Sequence, residues 1–289
     1  TSSLPSQRLK LNVLQWGSTN DDDPVIVLVH GIQDHARTWD ALVERVQEWP
    51  QSYRIIAPDL RGHGDSQWVR GSGYQYLDHV YDLYHVIRER TAKPVTLIGH
   101  SLGGAITALF AGIFPEHVQR LVSIEGIGIW QQHPPNAGVI EHVREWVEKQ
   151  QALASRLPRS YPDLAGAVMR MHQANPGLTK AQAQHLTEHG MRQDKSGDYV
   201  WKYDNYTYNF NGIGFSHDQT IEIWQNISCP TLLINASDGL ECRHGQNGTL
   251  VHFNDVRLEV VEAAGHWTFH DQPEAVVTLL ADFLSPTAS

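Results

Sequence analysis

Residues 95–104 read VTLIGHSLGG, a short apolar run that leads directly into the pattern Gly-x-Ser-x-Gly. The apolar run predicts a buried β-strand, and the sequence that follows it up to Phe114 is typical of a helix. A serine at such a strand-to-helix turn has a cramped backbone, so its neighbours at Gly99 and Gly103 must be small. The turn projects the hydroxyl of Ser101 above the sheet, beside the free N–H groups and the positive end of the new helix. The stretch therefore indicates a nucleophilic serine.

Strand-like and helix-like segments alternate on both sides of this stretch. The runs that predict strands lie at 9–16, 25–29, 53–57, 95–98, 120–124, 231–235 and 256–261. The helical patterns lie at 39–46, 77–87, 102–114 and 273–283. Continuous β-branched runs such as 25–29 suit strands that are buried on both faces. This order predicts an α/β fold with a mostly parallel sheet and helices on both of its faces.

The alternation stops in one long segment, where helical patterns follow one another directly. An apolar stripe over 139–147 predicts one helix, and a capping box formed by Thr179 and Gln182 predicts the start of another. No strand-like segment separates these helices, and the alternation resumes after them. We expect a discontinuous core formed by residues 1–126 and 222–289, with residues 127–221 inserted as a helical cap.

The composition limits the classes of partner. The formal net charge of −10 argues against a nucleic-acid or anionic-membrane partner, because both are negatively charged themselves. No apolar run approaches the roughly 20 residues that a membrane-spanning helix needs. The two cysteines, Cys229 and Cys242, are too few for a disulfide framework and favour a reduced, cytoplasmic protein. We expect a small-molecule substrate, and the sequence is silent on the oligomeric state.

Four polar residues follow predicted strands, where the carboxyl ends of a parallel sheet collect working side chains: Ser101, Glu125, Asp238 and His266. A serine hydroxyl is a weak nucleophile that needs a base within hydrogen-bond reach, and a carboxylate has to orient that base. The chain order Ser101, Asp238, His266 matches a known order of such triads. The backbone N–H groups of Ile32 and Leu102 are the expected donors to the oxyanion.

The chain resembles α/β-hydrolase fold enzymes over nearly its whole length. The motifs that carry this resemblance are HG at 30–31, DLRGHGDS at 59–66, GHSLGG at 99–104 and GH at 265–266, in the family's usual order. The segments 114–128 and 236–240 are similar to those of the serine hydrolase-like proteins, a group close to carboxylesterases with a helical cap. The resemblance implies hydrolysis through an acyl-enzyme, with a cap that encloses the acyl or alcohol side of the substrate. No cofactor is expected.

Two carboxylates compete for the place behind His266. Asp238 is separated from Ile234, the last apolar residue of its strand, by a loop that is one residue shorter than in most of the family. Some relatives, including a branch of the haloalkane dehalogenases, carry their acid at the end of the strand after the elbow helix, where Glu125 lies. The commoner chain order favours Asp238. Glu125 is the alternative acid, or else a buried carboxylate that is hydrogen-bonded to the backbone.

The favoured function is the hydrolysis of carboxylic esters with small or medium hydrophobic groups. Haloalkane dehalogenases and epoxide hydrolases are excluded because they attack with an aspartate, whereas position 101 is a serine. Two alternatives remain on the same fold. The first is a cofactor-free oxygenase or a lyase; the cofactor-free dioxygenases also place an acid near the position of Glu125. The second is a ligand-binding receptor that retains its triad.

Two histidine pairs, His185 with His189 and His266 with His270, have the i, i+4 spacing of metal ligands on a helix. The sequence offers neither pair a third ligand or an accompanying glutamate motif. We therefore expect no metal site in this protein.

Overall fold

The computed structural model describes residues 1–285 except 7–8, 72, 129–137, 155, 157–158 and 210–213. Its strands are β1 (Ser2–Ser6), β2 (Leu9–Gly17), β3 (Val25–Val29), β4 (Arg54–Pro58), β5 (Val95–His100), β6 (Val118–Ile124), β7 (Ser160–Tyr161), β8 (Met191–Gln193), β9 (Tyr199–Trp201), β10 (Thr231–Ala236) and β11 (Val256–Val261). Its helices are α1 (Asp40–Val46), α2 (Tyr76–Arg90), α3 (Leu102–Ile113), α4 (Val139–Ala154), α5 (Leu164–Ala174), α6 (Lys180–Gly190), α7 (His217–Gln225), α8 (Thr268–Asp271) and α9 (Pro273–Leu284).

Eight strands form the central sheet in the order β1-β2-β4-β3-β5-β6-β10-β11. β2 pairs antiparallel with β1 and with β4, and all the other neighbours run parallel. Every residue of β3, β4, β5 and β10 is buried, as the continuous apolar runs in the sequence predict. The mostly parallel sheet is confirmed, and it aligns the carboxyl ends of β3, β5, β6, β10 and β11 along one edge.

Helices cover both faces of the sheet. On one face α2 and α3 pack over a core that includes Phe110 and extends to Trp224 of α7. On the other face α1 and α9 pack over a second core, in which Trp39 stacks on Phe269 with ring centroids 4.5 Å apart. Trp39 and Trp224 are both fully buried, so each face has a large aromatic anchor that removes apolar area from water.

The segment between β6 and β10 contains α4 to α7 and a small antiparallel sheet in the order β7-β9-β8. The capping box of Thr179 and Gln182 begins α6 as expected. The small sheet is a difference from the purely helical segment that the sequence predicts. Strands of two or three residues are too short to produce a recognisable alternation, so the pattern could not reveal them. None of the described helices is long and apolar enough to cross a membrane.

Helix α7 packs on the core, although most of it precedes residue 222. The side chain of Asn226, at the end of α7, donates a hydrogen bond to the carbonyl of Gly112 in α3 at 2.7 Å. A side chain at Gly112 would overlap the carbonyl oxygen of Ile223, so the two helices are in close backbone contact. The expected division at residues 221–222 falls inside this helix. We therefore propose that the cap ends before α7.

Candidate active site

Ser101 occupies a sharp turn between β5 and α3. Its backbone has φ 54° and ψ −116°, a conformation that costs a non-glycine residue about 1–3 kcal/mol. The surroundings hold it in place: the Ser101 N–H donates to the Ile124 carbonyl at 3.0 Å, and the Ser101 carbonyl accepts from Ala105 and Ile127. This turn conformation places the hydroxyl at the carboxyl edge of the sheet, at the first turn of α3.

The two glycines of the Gly-x-Ser-x-Gly pattern are required by contacts between backbones. A side chain at Gly103 would overlap the carbonyl oxygen of Val29 in β3. A side chain at Gly99 would overlap the carbonyl oxygen of Gly103 itself. Backbone atoms cannot rotate away as the end of a side chain can, so neither position tolerates a Cβ without displacement of the turn.

His266 lies between the serine and a carboxylate. Its Nε2 is 2.8 Å from the Ser101 Oγ, and its Nδ1 is 3.2 Å from Oε2 of Glu125. With the proton on Nδ1, the ring donates to Glu125 and its Nε2 is free to accept the serine proton. The structure thus brings Ser101, His266 and Glu125 into one line of contacts from the ends of β5, β11 and β6.

The Glu125 carboxylate is fully buried and surrounded by donors. It accepts hydrogen bonds from the backbone N–H of Ala236 at 2.7 Å and of Leu240 at 3.1 Å. The Nη1 of Arg243 lies 3.4 Å from its Oε1, and this guanidinium is itself largely buried. A buried charge is tolerated only when it is paired and hydrogen-bonded, and these groups meet that requirement.

Asp238, the acid that the chain order favours, does not face the imidazole. No hydrogen bond or ion pair joins Asp238 to His266, both of which the structure describes, and Asp238 is exposed beside Ser237. The loop that carries it wraps around the other acid instead: Leu240 donates its N–H to Glu125, and a side chain at Gly239 would overlap the Glu125 carboxylate. The contacts of His266 favour Glu125, so we propose Glu125 rather than Asp238 as its acid. The sequence feature that pointed to Glu125 was the loop before Asp238, which is one residue shorter than in most of the family.

The segments that carry the expected oxyanion donors lie next to Ser101. An ideal Cβ at Gly31 would lie 3.2 Å from the Cβ of Ser101, so the loop after β3, which includes Ile32, lies against the serine. Leu102 is the first residue of α3, where backbone N–H groups have no partner within the helix. The role of the Ile32 and Leu102 N–H groups stays a prediction.

Buried histidines support the site without taking part in the line of contacts. The Nε2 of His100 lies 2.8 Å from the carbonyl oxygen of His266 and holds the backbone of that residue. Burial lowers the pKa of His100 well below its usual range, so this ring stays neutral. His30 fixes the loop after β3, because its Nε2 accepts from the Leu60 N–H at 2.9 Å, and burial lowers its pKa to about 3.

Sequence reasoning missed two contributors to the site. One is Arg243, which stands in no motif and reaches Glu125 only through the folding of the loop after β10. The other is the backbone contact from His100, a motif residue whose partner cannot be read from the sequence. Away from the serine, the described residues include one set with metal-ligand geometry, Asp40 with His185 and His189.

Comparisons with known proteins agree with this architecture. The α/β-hydrolase fold family matches residues 24–273. A serine hydrolase-like protein of Danio rerio is 27% identical over 280 residues, which cover 94% of this chain and 84% of that protein. An esterase of Mycobacterium tuberculosis is 24% identical over 95% of this chain and 86% of its own. The solved thioesterase domain from the curacin biosynthetic pathway has a TM-score of 0.81 at 22% identity, covering 96% of this chain and 97% of that one. The expected fold class is confirmed.

Proposed function

This chain belongs to the α/β-hydrolase fold family, and on that premise we propose that it is a serine hydrolase of carboxylic esters with small or medium hydrophobic groups. The family and the names of its relatives support a hydrolase at the coarser level. The single observation that carries the finer proposal is the line of contacts from Ser101 through His266 to Glu125.

The first half of the reaction forms an acyl-enzyme. The Ser101 Oγ attacks the carbonyl carbon of the ester while the Nε2 of His266 takes the hydroxyl proton. The tetrahedral intermediate collapses, and the C–O bond to the alcohol breaks as His266 returns that proton to the leaving oxygen. The second half repeats these steps with water as the nucleophile, which releases the acid and restores the Ser101 hydroxyl.

Glu125 is the proposed orienting acid. Its carboxylate holds the Nδ1 proton of His266 and so directs Nε2 toward the serine. When the imidazole takes up the serine proton, the buried negative charge of Glu125 stabilises the resulting cation across their 3.2 Å contact. The carboxylate itself takes no proton.

The proposed oxyanion donors are the N–H groups of Ile32 and Leu102. We expect them to donate to the carbonyl oxygen as negative charge develops on it, with the positive end of α3 adding to their effect. One such donor contributes about 10²–10³ to kcat in serine hydrolases.

A cleft beside His266 has room for a substrate of the proposed size. Its volume is about 700 Å³. It is lined by residues 174–178 from the end of α5 onward, by Asp238, by the loop 263–267 and by Asp271, and Ser101 is not among its lining residues. Ligand pockets of drug-sized molecules span roughly 300–1,000 Å³, so the cleft is compatible with small or medium groups.

A fluorophosphonate probe tests the proposal. The probe should label the wild-type protein at Ser101, with loss of both labelling and p-nitrophenyl ester hydrolysis in Ser101→Ala. Ser237→Ala, which alters an exposed serine in the loop after β10, is the matched control and should retain both. A protein that takes no label and leaves short esters intact would contradict the hydrolase proposal and favour a cofactor-free oxygenase, a lyase or a receptor.

A further inference from the structure

Helix α6 of the inserted segment meets the start of α1 through three potential metal ligands. His185 and His189 lie one turn apart on the same face of α6, with ring centroids 4.7 Å apart. The Nε2 of His185 is 3.2 Å from Oδ2 of Asp40, the first residue of α1. One ligand atom from each of the three side chains lies within 4.8 Å of the others. The third ligand that the sequence did not offer is therefore supplied by tertiary contact.

We propose that Asp40, His185 and His189 form a site for a divalent transition metal of the Zn²⁺ class, which joins α6 to α1. Two imidazoles and one carboxylate are a recurrent protein donor set for such ions, and a fourth position stays open to water. Metal–ligand bonds of about 2.0–2.2 Å require only a modest approach of side chains that are already this close. All three side chains reach solvent at least in part, so an ion has a path to the site.

A second observation points to a ligand at the same place. Oδ1 of Asp40 is buried and has no hydrogen-bond partner in the part of the chain that the structure describes. An unsatisfied buried oxygen of this kind costs about 1–3 kcal/mol, and coordination of a cation would satisfy it. The Oδ2 atom is shared between His185 and the Nη1 of Arg37, which is 3.4 Å away. Arg37 is half-exposed and competes with the metal for this carboxylate.

The proposed metal site lies where α6 already packs on the segment between β3 and α1. The Nε2 of His35 is 2.9 Å from the carbonyl oxygen of Leu186. The Nε2 of His185 lies 3.1 Å from the Arg37 carbonyl oxygen, a contact that metal coordination through this nitrogen would replace. A Cβ at Gly190 would lie 3.2 Å from the His35 ring, so the end of α6 is closely packed on this segment. The same segment begins with Gly31 beside Ser101. A bound metal would thus lock the inserted segment onto the loop that borders the serine.

Metal titration tests this site directly and needs no activity measurement. We expect one Zn²⁺ per chain by calorimetry, and a visible absorption band of tetrahedral type with Co²⁺. At a metal concentration of one hundred times Kd the Tm should rise by about 5 °C. His185→Ala and His189→Ala should each weaken binding at least tenfold, since each removes one of three protein ligands. Arg37→Ala should tighten binding because it removes the competing cation.

Two control variants separate this site from other sources of binding. Gln184→Ala alters the same helix next to the proposed ligands and should leave the affinity unchanged. His266→Ala should also retain binding, whereas its loss there would place the metal at the serine instead. The proposal is overturned if the wild-type chain binds no metal, if binding survives the His185→Ala and His189→Ala changes together, or if it is lost in His266→Ala.

Discussion

The Glu125 carboxylate lies 3.2 Å from the Nδ1 of His266, although the two residues are 141 positions apart in the chain. Glu125 directly follows β6, which is the immediate neighbour of the elbow strand β5. The Glu125 carboxylate therefore reaches the histidine from the end of the strand beside the one that leads to Ser101. The end of β10 and the loop after it, where the commoner acid position lies, donate the N–H groups of Ala236 and Leu240 to that carboxylate.

Exchange of the two acids tests this relationship. Glu125→Gln should lower kcat for ester hydrolysis by about 10³-fold or more, because the imidazole loses the group that fixes its tautomer and stabilises its cation. Asp238→Asn, the matched control, should leave kcat within about threefold of the wild type, since Asp238 is exposed and not paired with His266. Steady-state kinetics on p-nitrophenyl esters measures both. A large loss in Asp238→Asn with normal turnover in Glu125→Gln would restore the chain-order assignment.

Arg243 is expected to act as a positioning residue for Glu125. Arg243→Met should lower the free energy of unfolding by about 3 kcal/mol, because it leaves a buried carboxylate without its cation. It should also lower kcat with little change in KM, since Arg243 touches the acid and not the substrate. Arg243→Lys should recover part of both. Chemical denaturation and steady-state kinetics give the two readouts, and a normal kcat in a destabilised Arg243→Met protein would reduce Arg243 to a structural role.

The elbow glycine Gly103 is expected to tolerate no side chain. Gly103→Ala should destabilise the protein by about 2 kcal/mol or more, because its Cβ would overlap the Val29 carbonyl oxygen and displace the turn. Labelling of Ser101 by a fluorophosphonate should fall in parallel. Gly138→Ala is the control, as none of the residues that the structure describes lies within 4 Å of a Cβ there. Thermal denaturation compares the two, and equal stabilities would show that the elbow adjusts to the added methyl group.

Acid should destabilise the fold through its buried neutral histidines. Burial lowers the pKa of four of them to about 3: His30, His63, His244 and His270. Histidines in the unfolded chain have an ordinary pKa of 6.5, so the unfolded chain binds more protons than the native state as the pH falls from 6.5 toward 3. The stability that these neutral histidines contribute is therefore fully present above about pH 6.5. As the pH falls below that value, the free energy of unfolding decreases by about 1.4 kcal/mol per pH unit for each such histidine.

Substitution of His244, which lies beside Ser123, can measure the contribution of one buried histidine to this pH dependence of stability. The Nδ1 of His244 is 2.9 Å from the Ser123 Oγ, and His244→Asn keeps a polar atom near that position. Between pH 6.5 and 4, the free energy of unfolding of the variant should fall less steeply than that of the wild type. The two slopes should differ by about 1.4 kcal/mol per pH unit. Denaturant titrations at several pH values supply the comparison. Parallel slopes for the variant and the wild type would show that this ring is not the source of the acid sensitivity.

Local sequence patterns were enough to predict the main elements and part of the candidate site. The long apolar strands, the glycine-flanked turn at Ser101 and the position of His266 after the last strand all follow from short-range sterics and periodicity. The small sheet within the inserted segment escaped prediction because its strands are too short for a periodic pattern.

Those patterns left two candidates for the acid and favoured Asp238, whereas the contacts of His266 favour Glu125. Asp238 and Glu125 both follow strands and both satisfy the rule that working residues lie at the carboxyl edge. The outcome depended on the path of a single loop, which turns Asp238 outward and wraps Glu125 in backbone donors. Likewise, the spacing of His185 and His189 on a helix was visible in the sequence, while the approach of Asp40 was not. Distances between side chains on remote elements are set by packing of the whole chain, whereas turns and strands are set by neighbouring residues.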